Sequence, residues 1–265
     1  MAKTRRSASW LILLTLLLTA CTAGPAASGK REAAGTVEVV AHRGGFPENT
    51  LSAFRKAMAT PGVGAIETDV QLTKDGVPVI MHDLSVDRTT NGNGLVIELT
   101  LAEIQALRTK ESSEPVPTLE QVAELVAAHP TMRFLLEIKS PVPAEAPAKV
   151  LEIIRRHKIA DRTVIMSFDA KIVAEVVRLA PDQQTCYLAR QMTDEVLASP
   201  AQVLGMRFKD LTSAQVKEAQ AKGKKVYAWT INQEIDMQTA MIMGVDGIIS
   251  DQYAKAIDVR DGAKK

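Results

Sequence analysis

Cysteine is nearly missing from this chain. Among 265 residues only Cys21 and Cys186 are cysteines, and Cys21 closes an N-terminal segment with the features of a signal. A disulfide framework is therefore excluded for the rest of the chain, because a bridge needs two cysteines. Cys186 lies in the apolar stretch Thr185–Leu188. We expect it to be a buried thiol in a strand rather than a nucleophile.

A large charge of one sign is also missing. The chain has 32 basic and 31 acidic residues, and removal of Lys3, Arg5 and Arg6 with the signal leaves 29 basic against 31 acidic residues, a net charge of −2. General nucleic-acid binding relies on a strongly basic surface. The nearly neutral domain therefore argues against nucleic-acid partners.

A long apolar run is the third absence. The stretch Trp10–Leu18 follows a basic start and is too short to cross a bilayer as a helix, but it has the proportions of a signal peptide. It ends in Leu18-Thr19-Ala20-Cys21, which resembles the lipobox of bacterial lipoproteins. By this resemblance residues 1–20 are a lipoprotein signal peptide and Cys21 is lipidated. The alternative is an ordinary cleaved signal with a chance cysteine.

The chain beyond the signal divides into a tether and one domain. Residues 21–35 are rich in Ala, Gly, Ser and Thr, a composition that predicts a flexible tether. Residues 36–265 are enough for one large domain. A lipidated Cys21 would anchor this domain to a bacterial membrane in the cell envelope. Thr22 stands where an aspartate often retains lipoproteins in the inner membrane, which favours the outer membrane and periplasm.

Short apolar strands alternate with amphipathic helices through this domain, which indicates βα units and a parallel sheet. Eight such strands over this length predict an α/β fold of the (β/α)8 TIM-barrel class. A doubly wound open sheet is the alternative, and the barrel is preferred because polar residues cluster where the first three strands end. The predicted strands are Val37–Ala41, Ala65–Gln71, Phe134–Lys139, Val164–Ser167, Thr185–Leu188, Val203–Arg207, Val226–Thr230 and Gly247–Ser250.

Two carboxylates share one face of the second predicted strand. Glu67 and Asp69 are two residues apart, so their side chains point the same way. Ile66 and Val70 flank them, which places the acids at a crowded interior or a barrel mouth. Two carboxylates about 5 Å apart repel by roughly 3 kcal/mol at an effective dielectric of about 20. A divalent cation removes that cost, and carboxylate oxygens suit Mg²⁺ or Ca²⁺.

The third predicted strand repeats this arrangement with Glu137 and Lys139. Glu137 can supply a third carboxylate to the cation, and Lys139 would stand beside it as a positive group for a phosphate. A Glu–Lys pair that merely satisfies itself is the alternative. Three carboxylates at comparable strand ends favour the cation site.

Two histidine dipeptides, His42-Arg43 and His82-Asp83, flank the acidic strand in a chain with only four histidines. Histidine moves protons near neutral pH, and arginine binds oxyanions. With the carboxylates, these residues indicate hydrolysis of a phosphate ester. Gly44-Gly45 would let the backbone turn with positive φ close to a bound anion, and Asp83 could orient His82.

The chain resembles the glycerophosphodiester phosphodiesterase family, which has a TIM-barrel fold. The resemblance covers residues 37–251, and it is specific because the matching motifs occur in order and at strand ends. These motifs are Ala41-His42-Arg43-Gly44, Pro47-Glu48-Asn49-Thr50, Ile66-Glu67-Thr68-Asp69-Val70, Asp75-Gly76-Val77-Pro78-Val79, His82-Asp83, Asp87-Arg88-Thr89-Thr90-Asn91-Gly92, Pro117-Thr118-Leu119, Glu137-Ile138-Lys139, Ser167-Phe168, Ala228-Trp229-Thr230-Ile231-Asn232 and Asp246-Gly247-Ile248-Ile249.

The resemblance implies hydrolysis of a small-molecule glycerophosphodiester, such as glycerophosphocholine or glycerophosphoethanolamine, to glycerol 3-phosphate and an alcohol. It also implies a small insertion after the second strand, at residues 84–116. By resemblance the site residues are Glu67, Asp69 and Glu137 for one divalent cation (Ca²⁺ or Mg²⁺), His42 and His82 for general acid and base, Arg43 and Lys139 for the phosphoryl oxygens, and Trp229 and Phe168 for the substrate pocket. Ser250-Asp251-Gln252 departs from the family's usual Thr-Asp-Tyr-Pro or Thr-Asp-Arg-Pro, and we interpret this as a structural exit from the last strand.

Several alternatives stay open at this point. A phospholipase-like hydrolase of a lipid phosphodiester would need an apolar rim, and the chain has only five Phe and two Trp. A non-catalytic glycerophosphodiester-binding lipoprotein gives the two histidines no role, and a purely structural lipoprotein gives the clustered charges none. The sequence leaves open which histidine is the acid, whether water or a glycerol hydroxyl attacks first, and the oligomeric state.

Overall fold

The computed structural model describes Val37 to Gly262. The predicted signal peptide (residues 1–20), the tether (residues 21–35) and lipidation at Cys21 lie outside the described residues. No helix between Val37 and Gly262 is long and apolar enough to cross a membrane.

Eight parallel strands close into a barrel, and pairing of the first strand with both the second and the last completes the circle. The (β/α)8 prediction is confirmed, and the open sheet is excluded because that circle has no free edge. An additional short strand, β3, pairs antiparallel with β2. The strands are β1 (Glu38–Ala41), β2 (Ala65–Leu72), β3 (Pro78–Ile80), β4 (Arg133–Ile138), β5 (Thr163–Ser167), β6 (Thr185–Ala189), β7 (Val203–Arg207), β8 (Lys225–Trp229) and β9 (Gly247–Ser250).

Helices cover the outside of the barrel, and threonine side chains cap the starts of several of them. Thr50, Thr118 and Thr212 each accept a hydrogen bond from a backbone N–H of the first helical turn, as expected of an N-cap. The helices are α1 (Leu51–Ala59), α2 (Leu101–Ala106), α3 (Leu119–Ala127), α4 (Ala146–Arg156), α5 (Ala170–Leu179), α6 (Asp194–Ala198), α7 (Ser213–Ala221), α8 (Glu234–Met243) and α9 (Tyr253–Gly262).

The sheet separates two apolar cores, because alternate side chains of each strand point inward and outward. Outward residues such as Ile66, Phe134 and Ile248 pack against the helices. Inward residues such as Leu135, and Cys186 as predicted, fill the barrel itself. Burial on both faces is why these strands are recognisable in the sequence as apolar runs.

The predicted insertion at residues 84–116 lies between β3 and α3 and contains α2. It has a small core of its own, to which Val86, Val96, Ile104 and Val116 contribute. Strand β3 runs back along the part of β2 that extends past the end of β1, and it thereby returns the chain to the barrel mouth.

The amino end of the barrel interior holds a compact polar cluster. The Arg133 guanidinium donates to Glu38 at 2.5 Å, to the Tyr227 hydroxyl at 2.8 Å and to Gln184 at 2.8 Å. The Tyr227 hydroxyl in turn donates to Glu38. In this cluster, which we call the basal network, one acid is matched by one base.

Candidate active site

Three carboxylates meet at the carboxyl end of the barrel because of strand register. Asp69 of β2 lies directly beside Glu137 of β4, and Glu67 is two residues earlier on the same face of β2. One oxygen from each of these three residues lies within 4.8 Å of the others. All three side chains are buried. The predicted convergence of the acids is therefore present, and we call these residues the acidic triad.

The acidic triad carries more negative charge than its surroundings neutralise. Burial, and then the charge of Asp69, raise the pKa of Glu67 to about 7 and that of Glu137 to about 8. Burial also acts to raise the pKa of Asp69, but the charges of Lys139, His82 and Arg43 hold it below its usual value. The three carboxylates therefore do not all ionise readily on their own. A hard divalent cation would stabilise their ionised forms, because its charge offsets their mutual repulsion.

Basic and amide groups approach the triad from its sides. The Lys139 ammonium lies 2.8 Å from Glu137 and 3.3 Å from Asp69. Arg43 donates its backbone N–H to Glu67 at 2.8 Å, and its Nε lies 3.6 Å from Asp69. Asn49 donates to Asp69 at 2.9 Å. The triad's oxygens are thus held in place by fixed donors before any ligand binds.

The turn after β1 needs glycine for packing as well as for backbone conformation. Arg43 has a φ of 52°, and Gly44 and Gly45 have φ values of 75° and 92°. A Cβ at Gly44 would lie 2.7 Å from the Phe54 ring, and one at Gly45 would lie 2.7 Å from Tyr253. The positive φ expected from the sequence is present, and the tight packing is an additional reason for these glycines.

His42 points its Nδ1 at a carboxylate that sequence reasoning missed. That nitrogen lies 2.5 Å from Asp251, whose other oxygen accepts a hydrogen bond from Asn232 at 2.6 Å. Its Nε2 lies 4.0 Å from Glu67. Burial acts to lower the pKa of His42, but the Asp251 hydrogen bond and the Glu67 charge outweigh it and raise the pKa. Interpretation of residues 250–252 as a strand exit alone was therefore incomplete.

His82 has its own carboxylate, as the sequence suggested, and a wider support that the sequence did not reveal. Its Nδ1 lies 2.7 Å from Asp83, which also accepts two hydrogen bonds from Arg88, at 2.6 and 3.1 Å. Arg88 also donates a hydrogen bond to Glu48 at 2.5 Å, and Glu48 accepts another from Arg43 at 3.2 Å. Burial dominates the lowered pKa of His82, and the hydrogen bonds from Arg88 hold that of Asp83 far below its usual value.

A cavity of about 300 Å³ opens between these groups. Phe168 and Trp229 form one wall, with ring centroids 5.3 Å apart in an edge-to-face contact. Eight of the nine predicted site residues of the barrel line the cavity. The ninth, Asp69, contacts the lining residue Lys139 and is the strand neighbour of the lining residue Glu137. The eight are His42, Arg43, Glu67, His82, Glu137, Lys139, Phe168 and Trp229.

Known sequences resemble this chain over most of its length. The profile of the glycerophosphoryl diester phosphodiesterase family matches residues 41–255. A glycerophosphodiester phosphodiesterase of Caldanaerobacter subterraneus subsp. tengcongensis is 36% identical over 242 residues, which make up 84% of this chain and 98% of that protein.

Solved structures share the fold. A glycerophosphodiester phosphodiesterase from Parabacteroides distasonis superposes with a TM-score of 0.78 at 26% identity, over 87% of this chain and 99% of that one. A phosphodiesterase from Oleispira antarctica, solved in complex with the product sn-glycerol-3-phosphate, superposes with a TM-score of 0.77 at 28% identity, over 85% of this chain and 96% of that one.

Proposed function

Because the chain belongs to the glycerophosphoryl diester phosphodiesterase family and is thus an enzyme of that class, we propose that it acts on small glycerophosphodiesters with one divalent cation and two histidines. The products are glycerol 3-phosphate and the alcohol of the head group, for which glycerophosphocholine and glycerophosphoethanolamine are model substrates. The observation that carries this proposal is the meeting of three buried carboxylates and two carboxylate-paired imidazoles at one cavity. The product found in the Oleispira antarctica relative supports the glycerol 3-phosphate part.

Glu67, Asp69 and Glu137 would hold the cation, either Ca²⁺ or Mg²⁺. The fit rests on the donor set, which consists of buried carboxylate oxygens. It also rests on the pKa values of Glu67 and Glu137, which burial and the charge of Asp69 raise. When bound, the cation would supply positive charge next to a phosphoryl oxygen.

Arg43 and Lys139 would bind the remaining phosphoryl oxygens. Both line the cavity, and the buried Nε of Arg43 has no hydrogen-bond partner within Val37–Gly262. Negative charge on these oxygens increases in the transition state, so fixed cations beside them lower the barrier more than they aid ground-state binding.

His42 and His82 would transfer the protons. Each has its Nδ1 on a carboxylate, Asp251 or Asp83, which fixes the ring and leaves Nε2 for the substrate. One imidazole takes the proton of the attacking hydroxyl, and the other gives a proton to the departing alkoxide. The attacking hydroxyl is that of water or a glycerol hydroxyl, and a cyclic phosphate detected by rapid-quench phosphorus NMR would identify the second route.

The test is an assay of the purified protein with glycerophosphocholine, with and without EDTA. We expect glycerol 3-phosphate to be released and release to stop with EDTA and return with Ca²⁺ or Mg²⁺. Tight binding of glycerophosphocholine without turnover in the presence of both cations would overturn the proposed hydrolysis and favour a binding lipoprotein.

A lipid phosphodiester is the second candidate substrate, because the loops at the barrel mouth expose apolar side chains. Phe46 is 71% exposed, Leu84 46% and Phe168 43%, and they follow β1, β3 and β5 respectively. Such residues could contact a lipid surface. Release of phosphorylated head group or lysophosphatidic acid from lysophospholipid micelles, at a rate near that for glycerophosphocholine, would favour this candidate.

We also propose that the enzyme is anchored in the cell envelope through lipid on Cys21, with the outer membrane or periplasm preferred. Support comes from the sequence of residues 1–22 alone. Mass spectrometry of the mature N-terminal peptide would show the added acyl mass, and Cys21→Ser should abolish it and release the protein from membranes. An unmodified terminus would contradict the anchor.

A further inference from the structure

Arg190 and Trp229 both line the cavity, and both carry hydrogen-bond donors that no group within Val37–Gly262 satisfies. Arg190 follows β6, lines the cavity and is exposed, and within Val37–Gly262 it makes no hydrogen bond or ion pair. The indole N–H of Trp229 is buried and likewise lacks a partner in this part of the chain. Buried donors are normally satisfied, so an unpaired one beside a cavity points to an acceptor supplied by a ligand.

Carboxylates are scarce in the lining of this cavity. The only carboxylates lining the cavity in the described part of the chain are Glu67 and Glu137, which belong to the acidic triad. A cationic head group would therefore find no free carboxylate to pair with.

We propose that Arg190 and Trp229 form a head-group subsite that selects diesters of neutral polyols or anionic alcohols over those of quaternary ammonium alcohols, a refinement that rests on the proposed function. The indole N–H and the guanidinium donate to hydroxyl or anionic oxygens of the substrate. A cavity of about 300 Å³ is only about 8 Å across if it is compact, which is shorter than the screening length of about 10 Å at 0.1 M salt. A cation anywhere within it therefore experiences the charge of Arg190.

Arg207 provides a matched control. It follows Met206 of β7 just as Arg190 follows Ala189 of the adjacent β6, and Met206 is paired with Ala189 in register. Unlike Arg190, it is absent from the cavity lining and is paired with Asp210. Arg207 is the register partner of Trp229 but does not line the cavity, so its removal changes the net charge by the same amount and removes no cavity-lining donor.

The experiment measures kcat/KM for glycerophosphoglycerol and glycerophosphocholine in parallel, at low and at physiological ionic strength. We expect the wild type to prefer glycerophosphoglycerol by about 5- to 10-fold, Arg190→Gln to bring the ratio near one, and Arg190→Glu to reverse it. Arg207→Gln should keep the wild-type ratio. Trp229→Phe, which keeps a ring but removes the donor, should lower kcat/KM for glycerophosphoglycerol by about 2- to 10-fold more than for glycerophosphocholine.

The two proposals fail in different ways. If the wild type hydrolyses neither diester with cation present, the proposed function is overturned and the subsite with it. If it hydrolyses both but shows no preference, or if Arg190→Glu leaves the ratio unchanged, the subsite alone is overturned. A preference that shrinks with added salt in the wild type but not in Arg190→Gln supports the charge of Arg190 as its cause.

Discussion

The two ends of the barrel interior both contain acids and bases, but they balance them differently. In the basal network at the amino end, Glu38 faces Arg133, and Tyr227 hydrogen-bonds to both. At the carboxyl end, the three acids of the triad share the nearby charges of Lys139 and Arg43, and the pKa values of two acids rise to about 7 and about 8.

This difference separates charge that stabilises the fold from charge that prepares a site. A matched, hydrogen-bonded pair is costly to break, because either partner alone would be left desolvated. An unmatched set of acids costs stability in the absence of a ligand and is relieved when a cation binds. Substitutions at the carboxyl end should therefore affect activity, and substitutions at the amino end should affect stability.

The largest expected effect is from Glu137→Gln. Loss of one charged oxygen donor should lower kcat/KM by about 10³-fold or more and weaken cation binding, since the cation's charge contributes several kcal/mol to the transition state. Stability of the metal-free protein should not fall, because a neutral amide removes repulsion. Glycerophosphodiester assays, cation titration and thermal unfolding in EDTA measure the three quantities. Glu152→Gln on the exposed surface of α4 is the control, and a strongly destabilised but active Glu137→Gln would contradict the contrast.

His82→Ala should come next. Removal of one proton-transfer group should lower kcat by about 10²–10³-fold, within the usual range for general acid–base catalysis. Cation affinity should be retained, because the acidic triad is untouched. Calorimetric cation titration and steady-state kinetics separate the two effects. His129→Ala should behave as wild type, because this residue follows α3 and, within Val37–Gly262, its ring hydrogen-bonds only to the Leu125 carbonyl. Equal losses in both variants would argue against a catalytic His82.

Raising the pH should destabilise the metal-free protein. Glu67 and Glu137 have folded pKa values of about 7 and about 8, against about 4.3 when unfolded, so the folded state binds more protons between these values. The stability is fully present below the unfolded pKa and is lost as pH rises through the folded values. We expect the free energy of unfolding to fall by several kcal/mol between pH 5 and pH 8 in EDTA.

Urea unfolding at several pH values, with EDTA or with saturating cation, measures this slope. The cation should flatten it, and Glu137→Gln should reduce it even in EDTA. A metal-free protein whose stability is constant over this range would show that the acidic triad is not strained by its own charge.

The smallest effect is expected from Arg133→Met in the basal network. Glu38 and Tyr227 would lose their partner, which should cost about 2 kcal/mol because the cluster is half-buried rather than fully buried. Activity per folded molecule should stay within about twofold, since the cation site lies at the opposite end. Urea unfolding and kinetics test both parts, with the exposed Arg178→Met of α5 as control. A fall in activity per folded molecule of more than about twofold would mean that the two ends are coupled.

Local patterns in the sequence predicted the fold and the centre of the site. Apolar runs predicted the eight strands because both faces of each are buried, and the two-residue repeat placed Glu67 with Asp69 and Glu137 with Lys139. Helix α9 was missed, although its buried Tyr253, Ala256 and Ile257 have helical spacing. The contacts of Asp251 and Arg88 were missed because their partners, His42 and Glu48, are 209 and 40 residues away in the chain.

The sequence by itself determined the βα alternation, the charge balance and the residue types available for the site. Each depends on neighbours within a strand or helix, where spacing sets direction. Only the tertiary structure decided the register of β1 against β9, which brings Asp251 to His42, and the return of β3 along β2, which brings His82 to the mouth. Closure of the barrel brings together residues far apart in the chain, and no local spacing encodes such contacts.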